Sequence, residues 1–423
     1  MLNPRFAYTL LLYLLLPYIA FHLLWRGRKQ PEYLQHIGER FGFYPVQPSK
    51  PVIWLHTVSV GETRAAASLV SRLQTTYPDH QILLTHTTPT GRAASEQLYG
   101  DKVLRVYLPY DYPFAVKRFL RYFQPQIGVL LETEIWFNLI HQCQIQSLPL
   151  LLLNTRLSEK SARGYARFSK LTRLALTELT GIAAQTAEDA QRLLALGANN
   201  VQVMGNLKYD IAPPAAMLSL GQQLRTQFGQ HRKIFLAAST REGEEALILA
   251  AIKNIDVPNL LTVVVPRHPQ RFADVEKLLQ QLDFPYQKRS EQQPISETTK
   301  VVLGDSMGEM FAYYTACDLA YIGGSLLPFG GQNLIEASAV GRPVLIGPHT
   351  YNFEQATELA ITAGAALRIE NATALQQKIQ ELFEQPKQLA DMGSAGLQFV
   401  NSNTGATETA LNLIRQQLSA KLN

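Results

Sequence analysis

The chain is 423 residues long, 46% apolar and 17% charged, with two cysteines. That length exceeds one ordinary core, and the composition excludes a disordered or collagen-like chain. Cys143 and Cys317 lie far apart in sequence, which excludes a disulfide framework or a cysteine-based zinc motif and fits a reducing compartment. The net charge of +5 is uneven: residues 1–208 carry 22 Lys+Arg against 13 Asp+Glu, or +9, and the remainder 17 against 21, or −4. A basic first half suits an anionic partner. No basic run interleaved with aromatics occurs, so a membrane surface or lipid head group fits better than nucleic acid.

The first element is "FAYTLLLYLLLPYIAFHLLW", residues 6–25, which holds no Lys, Arg, Asp or Glu. As a helix it would reach about 30 Å, the thickness of a bilayer's hydrocarbon core. Pro17 and His22 weaken a deep span, whereas Tyr18 and Trp25 suit an interface. "RGRKQPEY" follows where a signal peptide would carry a small-residue cleavage site, so residues 1–28 are expected to be an uncleaved anchor. Arg26, Arg28 and Lys29 outnumber Arg5, which places the rest of the chain on the cytoplasmic side.

Beyond the anchor, short apolar runs alternate with amphipathic stretches. The runs are "PVIWLHTV" (51–58), "QILLTHTT" (81–88), "VLRVYLPY" (103–110), "QIGVLLETE" (126–134), "LPLLLLNTRL" (148–157), "GIAAQ" (181–185) and "VQVMGNL" (201–207). Lacking strict alternation, they suit strands buried on both faces of a parallel sheet. "YDIAPPAAM", residues 209–217, interrupts the pattern with two prolines and reads as a linker between a domain over 29–208 and one over 218–423. The alternation restarts with "KIFLAAST" (233–240), "LLTVVVPRHP" (260–269), "KVVLGDS" (300–306), "LAYIGGS" (319–325) and "PVLIG" (343–347). The expected fold is α/β: two doubly wound, Rossmann-like domains facing a cleft, with the last helix free to pack back on the first domain. Ligands of such sheets bind beyond the carboxyl ends of the strands.

Several motifs fall at those ends. "SVGE" (59–62) opens a helix with one glycine and a carboxylate, and a carboxylate there would repel a phosphate. Ser59 and Glu62 match a capping box, in which each side chain satisfies a helix-start amide. Glu132 and Glu134 in "ETEIW" end another run and can be read as a metal pair. There is no Asp-x-Asp, and the nine histidines lack ligand spacing, so no metal is expected. Arg156, Lys160, Arg163, Arg167, Lys170 and Arg173 form either a solvated helix face or a surface for an anionic head group. "VPRHP" puts Arg267 and His268 at a strand end, and "GDSMGEM" puts Gly308 at a helix start. "GGSLLPFGGQNLIEASAVGRPVLIG" (323–347) pairs glycines with Asn333 and Glu336 at a helix start, a pattern that suits a nucleotide's phosphate and ribose. The missing Gly-x-Ser-x-Gly disfavours a serine hydrolase, and the missing GxGxxG after an early strand disfavours a dehydrogenase.

Taken in order, "SVGET", "TPTGR", "ETEIW", "NTRLSEKS", "GNLK", "AASTREGEE", "VPRHPQRF", "GDSMGEM", "GGSLLPFGGQN" and "GPHTYNF" resemble the bacterial 3-deoxy-D-manno-octulosonic acid (Kdo) transferases, over nearly the whole chain. The resemblance implies a GT-B fold, a CMP-Kdo donor, and a tetraacyl disaccharide bisphosphate lipid A precursor (lipid IVA) as acceptor. It implies inversion without a metal or cofactor, in lipopolysaccharide biosynthesis at the cytoplasmic face of the bacterial inner membrane. It makes Glu62 the general base, with Glu132 and Lys208 as transition-state helpers. CMP contacts fall on Arg267, His268, Gly308, Glu309, Met310, Asn333, Leu334, Ile335 and Glu336. The acceptor side carries Ser59, Gly61, Arg92, Arg156 and Arg163. The chain departs from the pattern at Gln332 and Arg241, where histidines are usual, and at Phe137, where a proline is usual. Two rivals stand beside this reading, a GT-B nucleotide-sugar epimerase and a tethered two-domain sugar- or nucleotide-binding protein. The first needs no anchor, and the second works outside the cell, against the charge bias after residue 26.

Overall fold

The computed structural model describes residues 4–420. The chain divides into two compact units. One runs to Asp210 and resumes at Thr404; the other is Ile211–Asn403.

The first unit is built on seven strands: β1 (Val52–His56), β2 (Gln81–His86), β3 (Leu104–Tyr107), β4 (Ile127–Leu131), β5 (Leu150–Thr155), β6 (Gly181–Ala184) and β7 (Val201–Val203). They are all parallel, in the order β3-β2-β1-β4-β5-β6-β7, with Ile53 of β1 opposite Ile82 of β2 and Ile127 of β4. Alternate residues feed the two faces of the sheet. Trp54, Leu130, Leu150 and Leu152 join Phe119 and Phe123 in one core. Ile53, Leu55, Val129 and Leu131 join Leu69 and Leu73 in the other, and the C-terminal helix Ala406–Ala420 covers that face with Leu411 and Ile414. Burial on both faces is why the central runs, β1, β4 and β5, show no apolar–polar alternation.

The second unit repeats the design with β8 (Lys233–Thr240), β9 (Leu260–Pro266), β10 (Tyr286–Lys288), β11 (Val301–Leu303), β12 (Leu319–Ile322), β13 (Val344–Ile346) and β14 (Ala366–Arg368). Their order is β10-β11-β9-β8-β12-β13-β14, again all parallel. Both edge strands, β10 and β14, are absent from the sequence reading. Each has three residues and is only partly buried, so no apolar run marks it.

The apolar N-terminal segment is one helix, Pro4–Lys29, long and apolar enough by length and composition to cross a membrane. Polar side chains fasten its first half to the first unit. Arg5 Nη2 lies 2.6 Å from Glu178 Oε2, the Tyr8 hydroxyl donates to Asp111 at 2.9 Å, and the Tyr112 hydroxyl donates to the Leu12 carbonyl at 2.8 Å. Near its far end Leu23 is buried, Gly27 packs against Leu34, and the Arg26 guanidinium sits 4.3 Å from the Tyr33 ring centre. Phe6, Leu10, Leu14, Tyr18, Phe21 and Leu24 stay exposed along the helix.

Candidate active site

Each sheet has a point where the chain reverses its direction of growth. In the first, the chain leaves β1 toward β2 and β3 and comes back with β4 on the other side of β1. In the second, β8 and β12 play the same parts. Connections diverging from neighbouring strands open a crevice at their carboxyl ends. Glu62 follows β1 and Glu132 follows β4, while Arg241 and Glu244 follow β8 and Gly323–Gly324 follow β12. These residues therefore sit at the two switch points, while Arg267, Gly308 and Lys208 follow β9, β11 and β7.

Glu62 lies in the first turn of the short helix Val60–Ala65, with Ser59 as its N-cap. The Ser59 hydroxyl accepts the Glu62 N–H at 3.3 Å and donates to Glu62 Oε1 at 2.7 Å. The second oxygen accepts the Val58 N–H at 2.6 Å. This corrects the simple capping box: the carboxylate reaches past the N-cap amide to the residue before it. Burial pushes the Glu62 pKa up, and nearby Glu132 adds to that, against the pull of the Val58 and Ser59 hydrogen bonds. The turn is braced from the loop after β2, where the Thr88 hydroxyl donates to the Val58 carbonyl at 2.9 Å. A Cβ on Gly91 would sit 2.8 Å from that carbonyl, so "TPTGR" needs its glycine to approach so closely. Gly61 has no such constraint, since a Cβ there would meet nothing nearer than Ser59 Oγ at 3.8 Å.

Glu132 takes a left-handed backbone with φ of 60°, as does Asn154 at the end of β5 with φ of 56°. Non-glycine residues rarely adopt this conformation, and such strain collects at functional sites. Glu134, two residues on, accepts the Trp136 indole N–H at 2.7 Å and lies 3.8 Å from His56 Nε2. Burial, then the Glu62 and Glu132 charges, push its pKa up to about 7. His56, at the end of β1, is fully buried and pushed down to about 3 by desolvation and by neighbouring His86. The sequence reading missed His56 as a site residue and saw Glu134 only as a metal-pair candidate. A polar side chain closing a fully buried parallel strand was the available signal.

Lys208 is held by a relay of amides. Asn154 accepts the Leu207 N–H at 3.0 Å, Asn206 donates to Gln185 at 3.0 Å and accepts the Lys208 N–H at 3.0 Å. "NTR" and "GNLK" are thus two halves of one brace. Arg92 is tied to buried Glu39 at 2.9 Å and lies over the Tyr107 ring. Arg156 and Arg163 are exposed, as are Lys160, Arg167, Lys170 and Arg173, with Phe168 exposed among them.

In the second unit, Glu244 is fully buried and organises the crevice. It accepts the N–H groups of Arg241 (2.9 Å), Gly324 (2.5 Å) and Leu326 (3.0 Å), and the Tyr321 hydroxyl at 2.8 Å. The two glycine pairs bond to each other, Gly331 N–H to Gly324 at 2.7 Å and Gln332 N–H to Gly323 at 3.0 Å. Asn333, two residues before the helix Ile335–Ala339, accepts the Ile335 N–H at 3.0 Å, and its amide donates to Glu336 at 3.2 Å. Arg267 stands half-buried just beyond β9, and exposed His268 follows, its pKa lowered by desolvation, Arg241 and Arg267. Gly308 has φ of 80°, Glu309 pairs with Arg289 at 3.2 Å and accepts the Ser306 hydroxyl at 2.7 Å, and Met310 begins the next helix. Glu244 itself went unread in "EGEE", because nothing local distinguishes it from a solvated helix-start carboxylate.

Known proteins share both halves of this architecture. Residues 35–211 match the family described as 3-deoxy-D-manno-octulosonic-acid transferase, and residues 233–399 match glycosyl transferases group 1. The chain is 37% identical over 421 residues to a 3-deoxy-D-manno-octulosonic acid transferase of Haemophilus influenzae, covering 98% of this chain and 99% of that one. It is 40% identical over 434 residues to one of Bordetella pertussis, with the same coverage of 98% and 99%. A glycosyltransferase from Rickettsia africae shares the fold, with a TM-score of 0.56 at 15% identity over 88% of this chain and 99% of that one. With two parallel seven-stranded sheets, near-full-length relatives and the family match across its first domain, the chain belongs to the 3-deoxy-D-manno-octulosonic-acid transferase family of GT-B glycosyltransferases.

Proposed function

We propose that this enzyme moves Kdo from CMP-Kdo to a tetraacyl disaccharide bisphosphate lipid A precursor, with inversion and without a metal ion. The observation that carries the reading is the posture of Glu62. It is a nearly buried carboxylate at the β1/β4 switch point, oriented by one backbone N–H and one hydroxyl. Such a group can take the proton of an incoming hydroxyl as the bond to the sugar forms, and direct displacement with one base inverts the anomeric centre. Negative charge grows on the departing CMP phosphate. Backbone amides around Gly308 and Asn333–Glu336, with Arg267, are assigned to stabilise it, while Glu132 and Lys208 are assigned to the oxocarbenium-like transition state.

The acceptor is assigned to the first unit, at Ser59, Gly61, Arg92, Arg156 and Arg163. Its two phosphates match the excess of basic residues before position 209. The apolar helix Pro4–Lys29 and the exposed basic residues around Phe168 support a place on an anionic membrane, the cytoplasmic face of the bacterial inner membrane. Polar contacts along both halves of that helix favour its lying in the membrane surface.

Purified protein mixed with CMP-Kdo and the lipid A precursor is expected to release CMP and form a glycolipid heavier by Kdo, read by mass spectrometry. No CMP and no glycolipid would reject the assignment.

A further inference from the structure

Glu134 has no part in the chemistry described so far. Its carboxyl occupies the same crevice as Glu62 and Glu132 and feels both charges. Opposite it stands His56. His56 Nδ1 lies 3.0 Å from the Thr85 carbonyl and 2.9 Å from the Thr85 hydroxyl; a carbonyl can only accept, which assigns the proton to Nδ1 and the lone pair of the neutral ring to Nε2. That Nε2 is buried, has no hydrogen-bond partner among the described residues, and faces Glu134 Oε2 at 3.8 Å. An ionised carboxylate there would set one acceptor against another. A neutral carboxylic acid sets a donor against an acceptor, and its hydroxyl oxygen can still accept the Trp136 N–H.

We propose that Glu134 stores a proton for this site: it rests as the neutral acid facing His56 Nε2, which spares the crevice a third negative charge and leaves Glu62 ionised to act as base. Glu134 is on this view a positioning residue, and the inference rests on the reading of Glu62 given above. The titratable groups that face it are Glu62 from the helix after β1, Glu132 from its own strand end, His56 from β1 and Tyr165 from the helix Glu159–Ala166. Desolvation and the two neighbouring carboxylates hold its pKa near neutrality, at about 7. His56 cannot take the proton instead, because burial and His86 keep it neutral down to about pH 3. The stored proton also suits the substrate: a Kdo carboxylate and a donor phosphate would both be repelled by a third charge.

Two measurements test this. Infrared difference spectra of the resting protein near neutral pH are expected to show a protonated-carboxyl band that titrates away on raising the pH and is missing in Glu134→Gln. The band does not depend on the identity of the substrate, so it separates a failure here from a failure of the transferase reading. In turnover, Glu134→Ala is expected to lower kcat by about tenfold or more, the scale of a misplaced catalytic group. Glu134→Gln, whose neutral amide can turn an N–H toward His56 at any pH, is expected to restore most of that loss. It should also abolish the decline in wild-type kcat as Glu134 ionises above about pH 7. A missing band, a Glu134→Gln enzyme as slow as Glu134→Ala, or an unchanged alkaline decline would each overturn the proposal.

Discussion

Ser59 and Glu62 are bonded to each other twice, the serine hydroxyl accepting the glutamate N–H at 3.3 Å and donating to its carboxylate at 2.7 Å. The same pair therefore caps a helix and orients the carboxylate proposed as the base, and the two duties can be separated. Glutamine at 62 keeps an acceptor for the Val58 N–H, and Ser59 can turn its hydroxyl to accept from the new amide. Glu62→Gln is expected to melt close to wild type and to bind CMP normally. Its turnover should fall by about 10²–10⁴-fold, the usual scale of general-base catalysis. Near-normal turnover would return the residue to structural duty.

The two glycines beside this turn should respond oppositely to alanine. Gly91→Ala drives a Cβ to 2.8 Å from the Val58 carbonyl. It is expected to cost about 1–3 kcal/mol, as overpacking does, and to disturb Glu62 through Val58. Gly61→Ala meets only Ser59 Oγ at 3.8 Å. It should leave the denaturation midpoint unchanged and raise KM for the acceptor, because the added methyl occupies space assigned to it. Urea titration and steady-state kinetics on both variants check the contrast.

Glu244 ties the ends of β8 and β12 together through three backbone N–H groups and the Tyr321 hydroxyl. Glu244→Ala leaves those donors buried without an acceptor and is expected to destabilise the protein by about 2–4 kcal/mol. Glu244→Gln, with one acceptor oxygen left, should fall between it and wild type. Since the Gly323–Gly324 turn loses its support, CMP affinity by calorimetry should weaken in the same order while the folded fraction remains high.

Asp111 gives a pH signature. Burial raises its pKa from 3.8 to about 6 in the folded protein, so between those values the folded state holds a proton that the unfolded chain releases. Stability from this group falls as pH rises through that window and is regained as pH drops back. Asp111→Asn cannot titrate, so the difference in denaturation midpoint between variant and wild type should shift across the window and flatten above it. The variant should also loosen the N-terminal helix, because Asp111 accepts the Tyr8 hydroxyl as well as the Asn138 and Leu139 N–H groups. Faster proteolysis within residues 4–29 would report that.

Much of this protein is determined by its sequence alone. Twelve of the fourteen strands among the described residues announce themselves as apolar runs; the central ones do so because a parallel sheet covered on both faces needs every residue buried, whereas edge strand β7 is largely exposed. The order of polar motifs after those runs was enough to assemble a family resemblance and to select Glu62. Only the tertiary structure decided the rest. It revealed that Glu62 reaches Val58, that Glu244 holds the second crevice open, and that the N-terminal helix is fastened by Tyr8 and Arg5 to residues a hundred or more positions away. His56 and Glu134 are separated by three helix–strand units, from the helices after β1 through β4, and their protonation depends on burial and on charged neighbours, His86 for one and Glu62 and Glu132 for the other. Spacing along a chain carries neither quantity. Burial and distance exist only once the strands have been laid side by side.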